Sequence, residues 1–348
     1  MITKLKADIP AHLENVLGEG KTNSVVITYF TRAFPRWIFN CLRKGKNPFT
    51  DLITSQDLLN NEDFDYFYIR NPRYKVKSDK LEWDWLDQRL AKIYAGPHFF
   101  SHSTSICVKI SSKMVIIFDE VSNMSVALTK TQYDLCKQNF SCNLRNADKL
   151  KFLHECLYIL LHRYKAIGID NNHCSAPPSV IKYIRAQTEL FGSPFNRTLG
   201  QFCSPFPDLE QYFGSVGSFF DFQIKTGTYF MNPPYDEALL SAAIQKVIAA
   251  LQTSCQITVV IVIPLWDKSS QQLVRGVVHV DKEFDAYDLA CNSGFLRGQV
   301  KLSYENHRFL NFYTSEYISV CDAHLLVLSN TTYQISAEMI AKEWANIQ

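Results

Sequence analysis

Thr228-Tyr229-Phe230-Met231 is a short apolar run that stops at Asn232-Pro233-Pro234-Tyr235, and a helix-forming stretch, Glu237 to Leu251, follows at once. Strand, stiff turn and helix in that order is the unit from which sheets with crossover connections are built. The texture recurs on both sides. Short apolar runs ending in Gly, Pro, Asn or Asp cover Thr188 to Gly192, Ser218 to Phe222, Ile257 to Pro264, Ile318 to Val320 and Leu325 to Leu328, with helical stretches between them. The alternation predicts an α/β fold with a mainly parallel sheet. In such sheets ligands sit beyond the carboxyl ends of the strands, so the residues that end these runs are the candidates for function.

The chain before about residue 150 reads differently. Val26, Ile27, Phe30, Phe34, Trp37, Ile38 and Cys41 recur at helical spacing behind the cap candidate Thr22, with Pro35 set to kink or end the helix. Asp79 caps a second helix through Trp85, Leu86, Leu90 and Ile93, which Gly96-Pro97 stops. Ile106 to Ile110 and Met114 to Phe118 flank Ser111-Ser112-Lys113 as a hairpin, and a third helix covers Asp148 to Tyr164. The expectation is a mainly helical domain over 1–150 and a sheet domain over 151–348.

With 348 residues, 47% hydrophobic and 20% charged, the chain has ample material for a packed core. Its formal net charge of +2 implies no bulk attraction to nucleic acid, so any basic footprint must be local. Met1 to Leu13 lacks an apolar run, so no signal peptide is expected. The longest apolar run, Ile257 to Trp266, falls far short of the ~20 residues that span a bilayer. The ten cysteines form no CxxC, which points to free thiols in an intracellular, reducing compartment, nucleus or cytoplasm. His173-Cys174 and His154/Cys156 lack the paired short spacing of a structural zinc site, so no metal is expected. The sequons at Asn196 and Asn330 then carry no meaning for glycosylation.

Asn232-Pro233-Pro234-Tyr235 suits one kind of chemistry. An exocyclic adenine amine is a poor nucleophile because its lone pair is delocalised into the ring. Two acceptors at its two N–H bonds draw it towards a tetrahedral, more nucleophilic nitrogen. The Asn232 side-chain oxygen is one and the Pro233 carbonyl the other, while consecutive prolines keep the loop stiff and the carbonyl aimed. Tyr235 offers a face on which an unstacked base can lie, worth ~1–3 kcal/mol. A plain Pro-Pro turn between strand and helix is the competing reading. Upstream, Thr188 to Gly192 leads into Ser193-Pro194-Phe195-Asn196, a tight turn that lets backbone approach a cofactor. Asp208 and Asp221 are candidate acceptors for cofactor hydroxyls or amine, or else loop acids and caps. For nucleic acid, Arg70, Arg73, Lys75, Lys77 and Lys80 interleave with Tyr66, Phe67, Tyr68 and Tyr74. A second basic cluster is Arg32, Arg36, Arg43, Lys44 and Lys46, and Glu82-Trp83-Asp84-Trp85 is a candidate clamp for a methylated guanine.

Several small motifs stand in one order: Phe191-Gly192-Ser193-Pro194-Phe195-Asn196, Gln201-Phe202-Cys203-Ser204-Pro205-Phe206-Pro207-Asp208, Tyr212-Phe213-Gly214-Ser215, Phe220-Asp221-Phe222, Thr226-Gly227-Thr228, Asn232-Pro233-Pro234-Tyr235 and Ile261-Val262-Ile263-Pro264-Leu265-Trp266. Over about residues 185 to 330 the chain resembles the catalytic region of the phosphorylated-CTD-interacting factors, the cap-specific adenosine-N6 methyltransferases of eukaryotic messenger RNA. The resemblance implies a Rossmann-like domain dependent on S-adenosylmethionine (SAM) beside a helical domain. It implies capped RNA beginning with adenosine as substrate. It assigns catalysis to Asn232, Pro233, Pro234 and Tyr235, and the cofactor to Ser193, Pro194, Phe195 and Asn196, extended to Asp208 and Asp221. Trp266, Arg70, Arg73 and Lys75 are the candidate substrate contacts. The chain departs from the family in carrying Tyr235 where the cap enzymes have Phe, and in lacking a short Trp…Trp WW module. A DNA adenine-N6 methyltransferase and a non-catalytic nucleic-acid-binding subunit therefore stay open as alternatives, the first requiring the base to be swung out of a duplex.

Overall fold

The structure, a computed structural model, describes residues 37–49, 106–120, 123–167, 173–265, 285–332 and 335–347. Of the helix expected behind Thr22, only 37–43 falls among them, and it is helical. The helix expected behind Asp79, with Trp83 and Trp85, lies outside the described residues, as do Arg32 and Arg36. The hairpin is present as β1 (Ile106–Ile110) and β2 (Met114–Asp119), joined by β3 (Met124–Thr129) into a three-stranded sheet. Helix α1 (Lys130–Asn139) opens with a capping box in which Thr129 and Gln132 satisfy each other's backbone. Helix α2 (Asn146–Ala166) matches the third expected helix, and residue 150 falls inside it. The chain divides into two compact units: Met1–Val108 with Ile117–Val126 and Leu157–Asp170, and Lys109–Ile116 with Ala127–Cys156 and Asn171–Gln348.

The second unit holds the main sheet. Chain order runs β4 (Cys174–Ser175), α3 (Pro178–Ile184), β5 (Thr188–Glu189), α4 (Pro207–Glu210), β6 (Gly227–Met231), α5 (Glu237–Leu251), β7 (Ile257–Pro264), α6 (Asp285–Cys291), β8 (Leu296–Leu302), β9 (Phe309–Asn311), β10 (Tyr317–Ile318), β11 (Ala323–Ser329) and α7 (Ala337–Ala345). Spatial order in the sheet is β5-β6-β7-β11-β8. β5, β6 and β7 pair in parallel, while β11 is antiparallel to both β7 and β8. Four strands thus run one way and β11 alone is reversed, which upholds the mainly parallel expectation. β11 is reversed because β8 reaches it without a crossover helix: only β9 and β10 intervene, and these pair with β4 in a separate small sheet, β10-β9-β4. Beyond β5 the sheet continues through single parallel bridges, Glu189 to Phe202 and Phe202 to Ser215. Numbered by sequence, the positions Ser215, Phe202, β5, β6 and β7 read 3-2-1-4-5, an order that reverses between β5 and β6.

Three expected strands change. Ser218 to Phe222 is a turn, closed by the Asp221 and Phe222 N–H groups on the Ser218 carbonyl, because Phe219 is drawn into the core and tilts onto Phe191. Ile318 to Val320 contributes only β10, and to the small sheet. Of Thr188 to Gly192, two residues form β5, and Leu190 extends the ladder with one bond to the Phe230 carbonyl. β8 was not expected, because Leu296-Arg297-Gly298-Gln299-Val300-Lys301-Leu302 alternates as a half-exposed edge and lacks a continuous apolar run.

Helices cover both faces of this sheet, which explains the unbroken apolar run of β7, buried along its whole length. On one face Ile257, Val259, Ile261 and Ile263 pack with Leu240, Ala243, Ile244 and Val247 of α5. On the other, Val260 and Val262 pack with α3 and with Ile340 and Trp344 of α7. Each fully buried Leu, Ile or Val among them contributes ~1.5–3 kcal/mol. α5 begins where Asp236 accepts the Leu239 N–H (3.1 Å), and Glu237 in its first turn favours the helix dipole. Gly298 lets α7 approach β8, since a Cβ there would stand 3.2 Å from the Ala337 methyl. Among the described residues no helix is long and apolar enough to cross a membrane.

Asn330 ties the layers at the other end. Its Oδ1 accepts the Ile257 N–H (2.8 Å), and its Nδ2 donates to the carbonyls of Leu251 (2.9 Å) and Cys255 (2.7 Å). Replacing it with Ala strands these groups, and Asn330→Ala is expected to destabilise the fold by about 1–3 kcal/mol in denaturant titration. An unchanged midpoint would show that water replaces the clamp without loss.

Candidate active site

β5 and β6 are parallel neighbours, with Thr188 opposite Tyr229 and Glu189 opposite Phe230. Their carboxyl ends therefore deliver the following residues to one place, at the position where the strand order reverses. After β5 comes Gly192, whose N–H donates to the Cys203 carbonyl at 2.8 Å. A Cβ on Gly192 would stand 3.0 Å from the Phe202 Cβ, so only glycine lets the chain pass so closely.

Ser193 to Asn196 form the tight turn. Asn196 Oδ1 accepts both the N–H (2.8 Å) and the hydroxyl (2.9 Å) of Ser193, and its Nδ2 donates to the Cys174 carbonyl (3.3 Å). The Ser193 hydroxyl also receives the Phe195 N–H (3.1 Å) and meets His173 Nδ1 at 3.3 Å. Burial pushes the His173 imidazole down to about 3, so it is neutral. Phe195 is buried between the rings of His173 and Phe312, and Pro194 is buried beside it. These side chains build the turn, which leaves main chain as the surface it offers to a ligand.

After β6 comes Asn232-Pro233-Pro234-Tyr235. The Pro234 carbonyl accepts the Asp236 N–H (2.8 Å), which closes the loop onto the α5 cap. Asn232 Oδ1 is buried and, among the described residues, has no hydrogen-bond partner. A buried acceptor left unmade costs ~1–3 kcal/mol, which a donor placed there would recover. Burial, more than the nearby cysteines Cys321 and Cys174, lifts the Tyr235 phenol above its usual range. Burial likewise lifts Cys174 and Cys321 to about 11, so both are neutral thiols. Neither cysteine carried a sequence signal for this placement; the small sheet β10-β9-β4 and the link into β11 bring them here.

The other candidates scatter. Asp208 is half-buried in α4, where its carbonyl accepts Gln211 Nε2 (3.0 Å). Asp221 lines an open groove of about 780 Å³ with Lys225, Thr226, Lys246 and Thr253, residues that lead into β6 or lie in and just after α5. The β5–β6 register thus sets Ser193 to Asn196 and Asn232 to Tyr235 after neighbouring strand ends, and Asp221 lines the groove beside Lys246. Trp266, Arg70, Arg73 and Lys75 lie outside the described residues.

Residues 129–311, more than half of the chain, match the family described as phosphorylated CTD interacting factor 1 WW domain. The chain belongs to that family. The matched stretch contains one tryptophan, Trp266, and its described residues are the helices and mixed sheet above, not a small two-tryptophan module. Among curated proteins, the mRNA (2'-O-methyladenosine-N(6)-)-methyltransferase of Mus musculus is 38% identical over 79 residues, 22% of this chain and 11% of that protein. The Homo sapiens protein of the same name aligns with the same identity and coverage. The aligned stretch thus spans about a tenth of the length of these relatives.

Glu189, beneath the turn in β5, accepts the N–H groups of Thr198 (2.5 Å) and Leu199 (2.6 Å). Burial outweighs these bonds and lifts its carboxyl to about 7, against 4.5 for an ordinary glutamate. Between those values the folded chain holds a proton that the unfolded chain releases. The resulting stability is whole below about pH 4.5 and is lost as the pH rises through about 7. Unfolding midpoints should therefore fall between about pH 5 and 8, and Glu189→Gln, which keeps the acceptor without the charge, should flatten that slope. An identical slope in the variant would contradict the assignment.

Proposed function

From membership of this family and from the buried acceptor at Asn232, we propose that the chain is a SAM-dependent RNA adenine-N6 methyltransferase, acting on the adenosine beside the mRNA cap. The single observation that carries the reading is Asn232 Oδ1, buried and unpartnered among the described residues, on a proline-stiffened loop at the carboxyl end of β6. The 3-2-1-4-5 order supports a Rossmann-like domain over 151–348, with the site where such sheets bind ligands. The relatives' name, an mRNA methyladenosine-N6 methyltransferase, supports RNA as the substrate. Residues 1–150, with Arg70, Arg73 and Lys75, and Trp266 just past β7, are then the candidate RNA contacts. The ten free cysteines fit an intracellular protein, nuclear or cytoplasmic.

When bound, SAM supplies an electrophilic methyl group on a sulfonium. The bare backbone at Gly192 and the turn Ser193-Pro194-Phe195-Asn196 fit such a ligand through main chain, with Asp208 as acceptor for a ribose hydroxyl or the cofactor amine. Asp221, beside Lys246, is the other candidate acceptor for those groups. Asn232 Oδ1 and the Pro233 carbonyl each accept one N–H of the target amine, which localises its lone pair on nitrogen. Pro233 and Pro234 hold those acceptors without reorganisation, and Tyr235 stacks the base.

The test is methyl transfer from labelled donor to capped RNA, uncapped RNA, single-stranded DNA and duplex DNA. Capped RNA beginning with adenosine should be labelled best; equal labelling of uncapped RNA would remove the cap from the account, and labelling of duplex DNA alone would replace it. Asn232→Ala should lose about 10²-fold or more in kcat, by analogy with removal of one group from a preorganised transition-state site. Donor binding by calorimetry should persist, and near-normal turnover would show that the site lies elsewhere.

A further inference from the structure

The Ser218 to Phe222 turn closes most of its backbone groups on itself. The Ser218 carbonyl accepts the Asp221 (3.1 Å) and Phe222 (3.0 Å) N–H groups, the Phe219 carbonyl accepts the Phe222 N–H (3.2 Å), and the Ser218 hydroxyl accepts the Phe220 N–H (3.2 Å). The Phe220 carbonyl is met from outside the turn, by Lys246 Nζ of α5. The same ammonium stands 5.4 Å from the centroid of the Phe219 ring. That ring lies 4.8 Å, between centroids, from Phe191, the residue before Gly192. Asp221 follows Phe220 directly. Its carboxylate is exposed, lines the groove that Lys246 also lines, and makes no hydrogen bond among the described residues.

A carboxylate on a turn is placed only as well as the turn itself. Bonds within the turn fix its shape but not where it stands against the sheet. Lys246 supplies that reference, as a charged donor and a ring contact from a helix packed on β6 and β7. The same helix begins at the Asp236 cap, next to the Asn232 to Tyr235 loop, so one rigid element sets both pieces. We propose that Lys246 is a positioning residue for the methyl donor: it holds the Ser218 to Phe222 turn and so presents the Asp221 carboxylate to the donor's hydroxyls or amine. This rests on the reading of the chain as a SAM-dependent methyltransferase with Asp221 as a donor contact. Loss of Lys246 then weakens donor binding and leaves the transfer step at Asn232 alone.

The experiment is a double-mutant cycle on the full chain with Lys246→Met, Asp221→Asn and the pair, together with Lys246→Arg. Each is read by calorimetric titration with SAM, by thermal unfolding without donor, and by kcat on capped RNA at saturating donor. Lys246→Met, which keeps the stem and removes the charge, should raise the donor Kd about three- to tenfold, the size of one charge-assisted bond partly replaced by water. Its kcat at saturating donor should hold. Arginine, which can still donate to the Phe220 carbonyl and lie over the Phe219 ring, should recover most of the loss. In the Asp221→Asn background the effect of methionine on Kd should shrink, because the group being positioned is already gone. A lowered unfolding midpoint with wild-type Kd would overturn the proposal and leave Lys246 a purely structural residue. Additive losses in Kd, or no recovery by arginine, would overturn it as well. Asp221→Asn lies at an exposed position and reads the route even where the methionine variant is too unstable to titrate: wild-type donor affinity there would overturn the proposal alone. A wild-type chain that binds no SAM would overturn the reading of function on which the proposal rests.

Discussion

The parallel register of β5 against β6 is the constraint on which the site depends. Thr188 opposite Tyr229 and Glu189 opposite Phe230 place two carboxyl ends side by side, so the turn at Ser193 and the loop at Asn232 emerge next to each other. A slip of one residue would turn Tyr229 and Met231 away from the face they share with α5 and drive them into the opposite layer, where Phe230 packs. The register is therefore held by the core, and the core in turn by β7, whose alternate residues face helices on both sides. Loop geometry at the site is inherited from burial some distance away from it.

Within that frame the two loops divide their work. In the Ser193 to Asn196 turn nearly every polar side-chain atom is spent on the turn itself, and Phe195 is spent on packing. In the Asn232 to Tyr235 loop the opposite holds: one buried acceptor, Asn232 Oδ1, is left over. On our reading of the site, a donor on the ligand recovers that cost. A rigid turn for a cofactor and an unspent acceptor for an amine are the two things methyl transfer to adenine asks of a protein, since the leaving group is already activated.

Much of this was legible in the residues. Periodicity located β6, α5, β7 and β11, because a strand buried on both faces reads as an unbroken apolar run and α5 carries its stripe behind an Asp cap. It failed where tertiary context decides. Leu296 to Leu302 is an edge strand with three polar residues, which no apolar run announces. Phe219 and Phe220 look like strand residues, yet they are aromatic wedges in a turn. Asn232 and Tyr235 were readable from chemistry, as candidates. The placement of Cys174 and Cys321 was not, because a buried cysteine carries no sequence signal for its neighbours, and the β4–β9 pair and the β7–β11 register set where these two lie.

The central claim, that Asn232 Oδ1 is reserved for an adenine amine, is tested most directly by a structure of the chain with capped, adenosine-first RNA and the demethylated cofactor. The account predicts the adenine N6 within hydrogen-bond reach, about 2.7–3.2 Å, of both Asn232 Oδ1 and the Pro233 carbonyl, with the base lying on Tyr235. An adenine bound elsewhere, or an Asn232 carboxamide turned away into the protein, would contradict it.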